Sequence, residues 1–214
     1  LRNNDEINIK NSVDELGKFG YSVCKNMIPP NVITMLIHEL EKREQSGDIK
    51  TALVGRGESR KTDGAQRDVL SSWLGKESEG EQYFLAFAEK IRLSINRNLL
   101  LGLFEFESQF LHYPIGGFYK RHIDALKGNR NRIVSMVAYL NQNWIPEDGG
   151  TLAIWNDEQS INPMIEVLPS AGTVVLMLSE DIPHEARSAL RERRAIAGWF
   201  RLNPSYAGQI NPAN

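Results

Sequence analysis

The stretch YKRHIDALKGNRNRIVSMVAYLN, Tyr119 to Asn141, decides how the second half of the chain is read. Its end alternates like a strand, which puts Ile133, Ser135, Val137 and Tyr139 on one face. Its beginning carries His122 and Asp124 two positions apart, on the same face if that segment is also extended. An imidazole and a carboxylate so placed form a two-point clamp for a divalent first-row metal.

Outward from this stretch the pattern repeats. LFEFESQFLHY, FYKRHI, GTLAIWN, MIEVLP, GTVVLML and RAIAGWF are short strand-like runs separated by turn residues. Spacing of roughly 8 to 12 residues indicates a sandwich or barrel of jelly-roll type. Upstream of about Leu101 the period is helical. NVITMLIHELEKREQ follows Pro29-Pro30 and stops at Gly47, and EGEQYFLAFAEKIRLSINRNLL lines up Phe84, Phe87, Ala88, Ile91 and Ile95. Ser12 and Glu15 have capping-box spacing and are expected to open a short helix ended by Gly17 or Gly20, followed by a strand at YSVCKN. From Gly55 to Gly80 the chain is rich in Gly, Ser and charge, with only VLSSWL looking ordered. Segments of that length are more often functional flaps than idle linkers.

The chain has 214 residues, 41% hydrophobic and 24% charged, and reads as one globular domain able to bury a core without a stapling disulfide. Its formal charge of -2 gives no basic excess for nucleic acid. Cys24 is the single cysteine and reads as a small half-buried hydrophobe in a reducing compartment. No apolar run approaches the roughly 18 to 20 residues of a membrane span, and LRNNDEINIK lacks a signal-peptide core. A cytoplasmic location is expected, with a short N-terminal stretch preceding Leu1.

A metal clamp needs a third donor, and there are four histidines. His38 lies in a charged helix, His112 ends a strand, and His184 follows GTVVLMLSEDIP, where a Pro turn can bring a ring to a barrel mouth. Nine residues on, Arg193 shares a strand face with Ala195, Ala197 and Trp199. A buried guanidinium requires an anionic partner, and a small dicarboxylate reaching from the metal would supply one.

Taken in order, HYP, GGFYKRHID, RIVSMVAYLN, GGTLAIW, LPSAGTVVLMLSEDIPHEA and RRAIAGWF resemble the core of the iron(II)- and 2-oxoglutarate-dependent oxygenases. Within that superfamily the chain is most similar to the hypoxia-inducible-factor prolyl hydroxylases and their bacterial counterparts. The match runs from about Leu103 to Arg201. The resemblance implies a double-stranded β-helix, a distorted, cupin-like jelly roll over 101–201, with residues 1–100 supplying helical support and a loop at about 55–80, and 202–214 a tail. It implies that His122, Asp124 and His184 ligate Fe(II), that Arg193 and Tyr139 hold the far carboxylate of 2-oxoglutarate, that Tyr113 contacts its oxoacid end, and that Leu152 and Trp199 line the pocket. It further implies use of O2, stimulation by ascorbate, and hydroxylation of a prolyl residue at C4 in a protein or peptide, with oxygen sensing among the family's roles.

A bacterial source would make a Pro-containing loop of elongation factor Tu a candidate substrate, on resemblance alone. The segment Gly55 to Gly80 would close over the peptide, assisted by the tail. Arg194 stands where the animal enzymes carry an aromatic, which leaves open which arginine is the anchor; strand parity with Trp199 selects Arg193. A finger-loop ion pair would correspond to Asp68 with Arg132, and Gly149-Gly150 reads as a hairpin turn. Two other readings compete. One is the same iron chemistry on a small metabolite or a nucleic-acid base; base-repair members of the superfamily resemble Arg-x-Asn-x-Thr at this point, and Arg193-Arg194-Ala195-Ile196-Ala197 lacks that Asn and Thr, which disfavours the base. The other is a non-catalytic cupin-like metal-binding sensor, which has no need of a co-substrate anchor.

Overall fold

A computed structural model of the protein describes residues 3–52, 64–125 and 131–203. Three helices, α1 (Asn3–Phe19), α2 (Pro30–Ser46) and α3 (Glu79–Leu99), accompany eleven strands. The strands are β1 (Tyr21–Cys24), β2 (Lys50–Thr51), β3 (Leu70–Trp73), β4 (Glu105–Tyr113), β5 (Tyr119–His122), β6 (Arg132–Tyr139), β7 (Leu152–Ile154), β8 (Ile165–Val167), β9 (Val174–Leu178), β10 (His184–Ala186) and β11 (Arg193–Arg201). They form a seven-stranded sheet, β1-β9-β6-β11-β4-β3-β2, facing a four-stranded sheet, β5-β10-β7-β8. Every pairing between these strands is antiparallel. This is the expected jelly roll.

Side-chain alternation explains why the large sheet is covered on both faces. On β11, Ile196 and Phe200 face the helices, where they join Leu16, Leu36, Leu40, Phe84 and Ile91 in one core. On β9, Val175 and Met177 turn the other way and meet Leu152, Ile154 and Val167 of the small sheet. Arg193, Ala195, Ala197 and Trp199 share that inner face, where Ala195 is fully enclosed. The space between the sheets is therefore lined by small and polar groups along β11, flanked by apolar packing.

One expectation is corrected here. Ser12 does not open a helix: α1 already runs from Asn3, because Ile9, Val13 and Leu16 continue one apolar stripe, and Ser12 lies within it, buried against Met27. His184 follows β9 and a turn, and itself opens a further short strand, β10, paired with both β5 and β7. The island VLSSWL does form β3, which extends the large sheet beyond β4. Residues 53–63 and 204–214, which carry part of the proposed flap and most of the tail, lie outside the described residues. Among the described residues no helix is long and apolar enough to cross a membrane.

One polar node ties the helices to the edge of the large sheet. Glu81 on α3 is fully buried and accepts from the Gly75 and Ser78 amides, closing a capping box with Ser78. The same carboxylate pairs with Arg43 of α2 at 2.5 Å, and Arg43 reaches on to Ser72 and to the carbonyl of Trp73 on β3. Burial alone would raise the Glu81 pKa, but the Gly75 and Ser78 donors and Arg43 outweigh it and hold the group below the usual carboxylate range. Glu81→Ala is expected to cost about 2 kcal/mol in urea unfolding, because it removes the acceptor of the part-buried Gly75 and Ser78 amides and one of the carboxylates on Arg43, which keeps Glu39 at 3.1 Å. The contribution of Glu81 is fully present above its ordinary value near 4.5 and disappears as pH falls through the lowered one. The variant should therefore differ most from wild type at neutral pH and least in acid.

Candidate metal centre

β5 ends at His122 and β10 begins at His184, and the sheet register sets these two residues opposite each other. Their ring centroids are 4.3 Å apart. Asp124, two residues past His122, folds back so that Oδ1 lies 3.4 Å from His122 Nε2 and Oδ2 lies 3.7 Å from His184 Nε2. One ligand atom from each residue falls within 4.8 Å of the others, close enough to share an ion.

The imidazoles are oriented by their own backbones. His122 Nδ1 lies 2.8 Å from the carbonyl of Lys120, and His184 Nδ1 lies 3.0 Å from that of Ile182. A carbonyl only accepts, so each Nδ1 carries the hydrogen and each Nε2 presents its lone pair to the gap. His122 is further held by a stacked Tyr119 ring at 3.6 Å. Burial, reinforced by His122, pushes His184 down to about 4 against the opposing pull of Asp124, so it is neutral at physiological pH. Burial would push Asp124 up, but His184, the charge and hydrogen bond of His122, and Ser135 together hold it well below the carboxylate range. The site thus offers two imidazole nitrogens and one carboxylate, a donor set matching the facial triad of non-haem iron oxygenases.

Arg193, 1% exposed, lies on the inner face of β11. Its Nη1 donates to the carbonyls of Gly150 at 2.6 Å and Arg187 at 2.9 Å, and its guanidinium sits 4.0 Å over the Tyr113 ring. Among the described residues its Nε and Nη2 have no hydrogen-bond partner by geometry. A buried cation with two donors unspent calls for an anion, and a carboxylate fits the fork. Tyr113, Tyr139 and Leu152 are all buried in the cluster around it. The Tyr113 hydroxyl is pushed up by burial, with Arg193 and Arg67 pulling down and Asp124 pushing up, which places it within electrostatic reach of both the arginine and the triad. Burial likewise raises Tyr139, and takes Tyr119 up to about 12.

Arg194 points the other way, to Glu41 and Glu44 of α2. Of the two arginines, Arg193 alone faces inward on β11. Trp199 stands beside Ser135 with its indole N–H buried and unpartnered, covered by Arg132 at 3.7 Å. The expected pairing of Arg132 with Asp68 is replaced by one with Glu107 at 2.8 Å, because β4 rather than the segment before β3 runs alongside β11 at that level. Gly150 is more than a hairpin turn: its carbonyl holds Arg193, its φ is +67°, and a Cβ there would meet that of Ala189 at 2.7 Å. Nothing in the local sequence announced that role, nor that of the Arg187 carbonyl.

Residues 108–201 match the model of the 2OG-Fe(II) oxygenase superfamily. The chain is similar to a crystal structure of a Pseudomonas putida prolyl-4-hydroxylase, with 34% identity, TM-score 0.80, and coverage of 91% of this chain and 98% of that one. A prolyl hydroxylase from Trichoplax adhaerens, solved in complex with a hypoxia-inducible-factor oxygen degradation domain peptide fragment, shares the fold at 24% identity and TM-score 0.81, over 92% of this chain and 90% of that one. A prolyl 4-hydroxylase from Phytophthora capsici shares it at 18% and 0.75, over 97% of this chain and 68% of that one.

Arg193→Ala is expected to raise the 2-oxoglutarate concentration for half-maximal turnover roughly 30-fold or more, as loss of one partner of a buried charge pair does. Arg194→Ala should leave it unchanged. Steady-state titration of both variants checks this, and equal shifts would deny Arg193 its special place.

Proposed function

This chain belongs to the 2OG-Fe(II) oxygenase superfamily, and on that premise we propose that it hydroxylates a prolyl residue in a protein or peptide. It is a 2-oxoglutarate-dependent dioxygenase of prolyl 4-hydroxylase type that uses iron(II), 2-oxoglutarate and dioxygen. The reading of its substrate rests on one observation above others, the 34% identity maintained over 98% of the Pseudomonas putida prolyl-4-hydroxylase.

In this reading His122 Nε2, Asp124 and His184 Nε2 hold the metal. Arg193 spends its free Nε and Nη2 on the distal carboxylate of 2-oxoglutarate, while the Tyr139 hydroxyl donates to the same group and Tyr113 borders the oxoacid end. Ala195 and Ala197 leave room between the two ends because neither has a side chain long enough to fill it. With dioxygen, the bound pair supplies oxidising power: 2-oxoglutarate loses carbon dioxide to become succinate, one oxygen atom entering that product and the other replacing a substrate C–H with C–OH.

The chain's own part is to bind, align and exclude water. Leu152 and Ile154 close the apolar side of the cavity, and Trp199, Tyr119 and Arg132 stand near the triad, where a prolyl ring can pack against aromatic faces. Elongation factor Tu is the first protein to test as acceptor, and cytoplasmic action follows from that choice.

Incubating the protein with iron(II), 2-oxoglutarate, labelled dioxygen and a host lysate, followed by peptide mass spectrometry, should reveal proline gaining one labelled oxygen atom. Label confined to small metabolites would replace the peptidyl reading. His122→Ala should abolish succinate formation under the same conditions, and persistent turnover would deny the triad its role.

A further inference from the structure

The two histidines and Asp124 are supported differently. Each imidazole belongs to a strand and is fixed by a carbonyl two residues earlier. Asp124 lies past the end of β5, so the sheet does not orient it. Its side chain is instead backed by two buried serines. Ser135 on β6, 1% exposed, places Oγ 2.6 Å from Asp124 Oδ2. Ser179, just beyond β9 and 2% exposed, places Oγ 2.8 Å from Ser135 Oγ. The Ser179 carbonyl also accepts from the amide of Ala125 at 3.0 Å, and its amide donates to Ile133. Ser179 thus grips the chain beside Asp124 while its hydroxyl backs the side chain.

The direction of these bonds follows from proton count. Ser135 donates its single hydroxyl proton to Asp124 Oδ2. Ser135 then has lone pairs alone to offer, and the Ser179 hydroxyl must donate to it. The 2.6 Å separation is that of a charge-assisted O–H···O⁻ bond.

We propose that Ser135, oriented by Ser179, is a positioning residue that engages Oδ2 of Asp124 and so commits the carboxylate to bind the metal through Oδ1 alone. The inference rests on reading the triad as the iron site. Its consequence is a matter of counting donors. Two imidazoles, one carboxylate oxygen and two oxygens of 2-oxoglutarate leave an octahedral ion one place, which a second carboxylate oxygen would fill. Both serines are buried. Their hydroxyls act through Asp124, as outer partners of metal ligands commonly do.

The test uses the full chain with Co(II) and with Fe(II) plus 2-oxoglutarate, both anaerobic. Ser135→Ala should weaken Co(II) binding about 10- to 100-fold and shift the visible band of the Fe(II)–2-oxoglutarate complex, with little change in the melting temperature of the metal-free protein. Ser179→Ala should do the same to a smaller degree. Ser135→Thr, which keeps the hydroxyl, should restore both readouts. Wild-type affinity and spectrum in Ser135→Ala would overturn the proposal while leaving the triad intact, and so would a Thr variant as impaired as the Ala one. Failure of the wild type to bind either metal would remove the triad reading itself, and the proposal with it.

Discussion

A guanidinium sealed between two sheets is the constraint to which the rest of the site answers. Arg193 cannot reach water, so its five hydrogens must find acceptors within the fold or on a bound anion. The fold satisfies one nitrogen with the carbonyls of Gly150 and Arg187 and stops there. Both carbonyls come from segments flanking the small sheet, so the arginine links the two layers. In the proposed reading, that unmet hydrogen-bonding capacity is what a ligand carboxylate would satisfy.

The helices hold the sheet that presents this charge. Arg194, one residue away, is drawn outward to Glu41 and Glu44, while Arg43 and Glu81 fasten α2 and α3 to the loop leading from β3. Adjacent residues of one strand therefore point to opposite sides of the sheet, the inner one buried and the outer one anchoring a helix. Because α2 and α3 pack on the face behind Phe110, Ile196 and Phe200, the inner face of β11 carries Arg193, two alanines and, toward the far end, Trp199.

Much of this was legible in the residues. Alternation in RIVSMVAYLN and RRAIAGWF gave the inner faces of β6 and β11, and parity with Trp199 separated Arg193 from Arg194, because a period of two leaves no middle ground. Helical spacing located α2 and α3 for the same kind of reason. What escaped depended on distant backbone. The Gly150 carbonyl, the switch of Arg132 from Asp68 to Glu107, and the Ser179 hydroxyl acquire meaning only when strands remote in sequence lie side by side. Ser12 misled because a capping-box spacing also occurs inside helices whose apolar stripe continues upstream. That His184 itself opens a strand was not readable, since a three-residue strand leaves almost no pattern.

β11 is hydrogen-bonded along both edges, to β4 from Arg193 through Arg201 and to β6 over nearly the same span. A single-residue deletion there would turn every side chain through the plane of the sheet, exchanging the inner and outer arginines and burying Ile196 among polar groups. Descendants of this sequence can accordingly vary the length of the turns joining their strands far more freely than the length of this one. Diversification of the enzyme's preferences is channelled into the rim, while the central ribbon is inherited with its residue count unchanged.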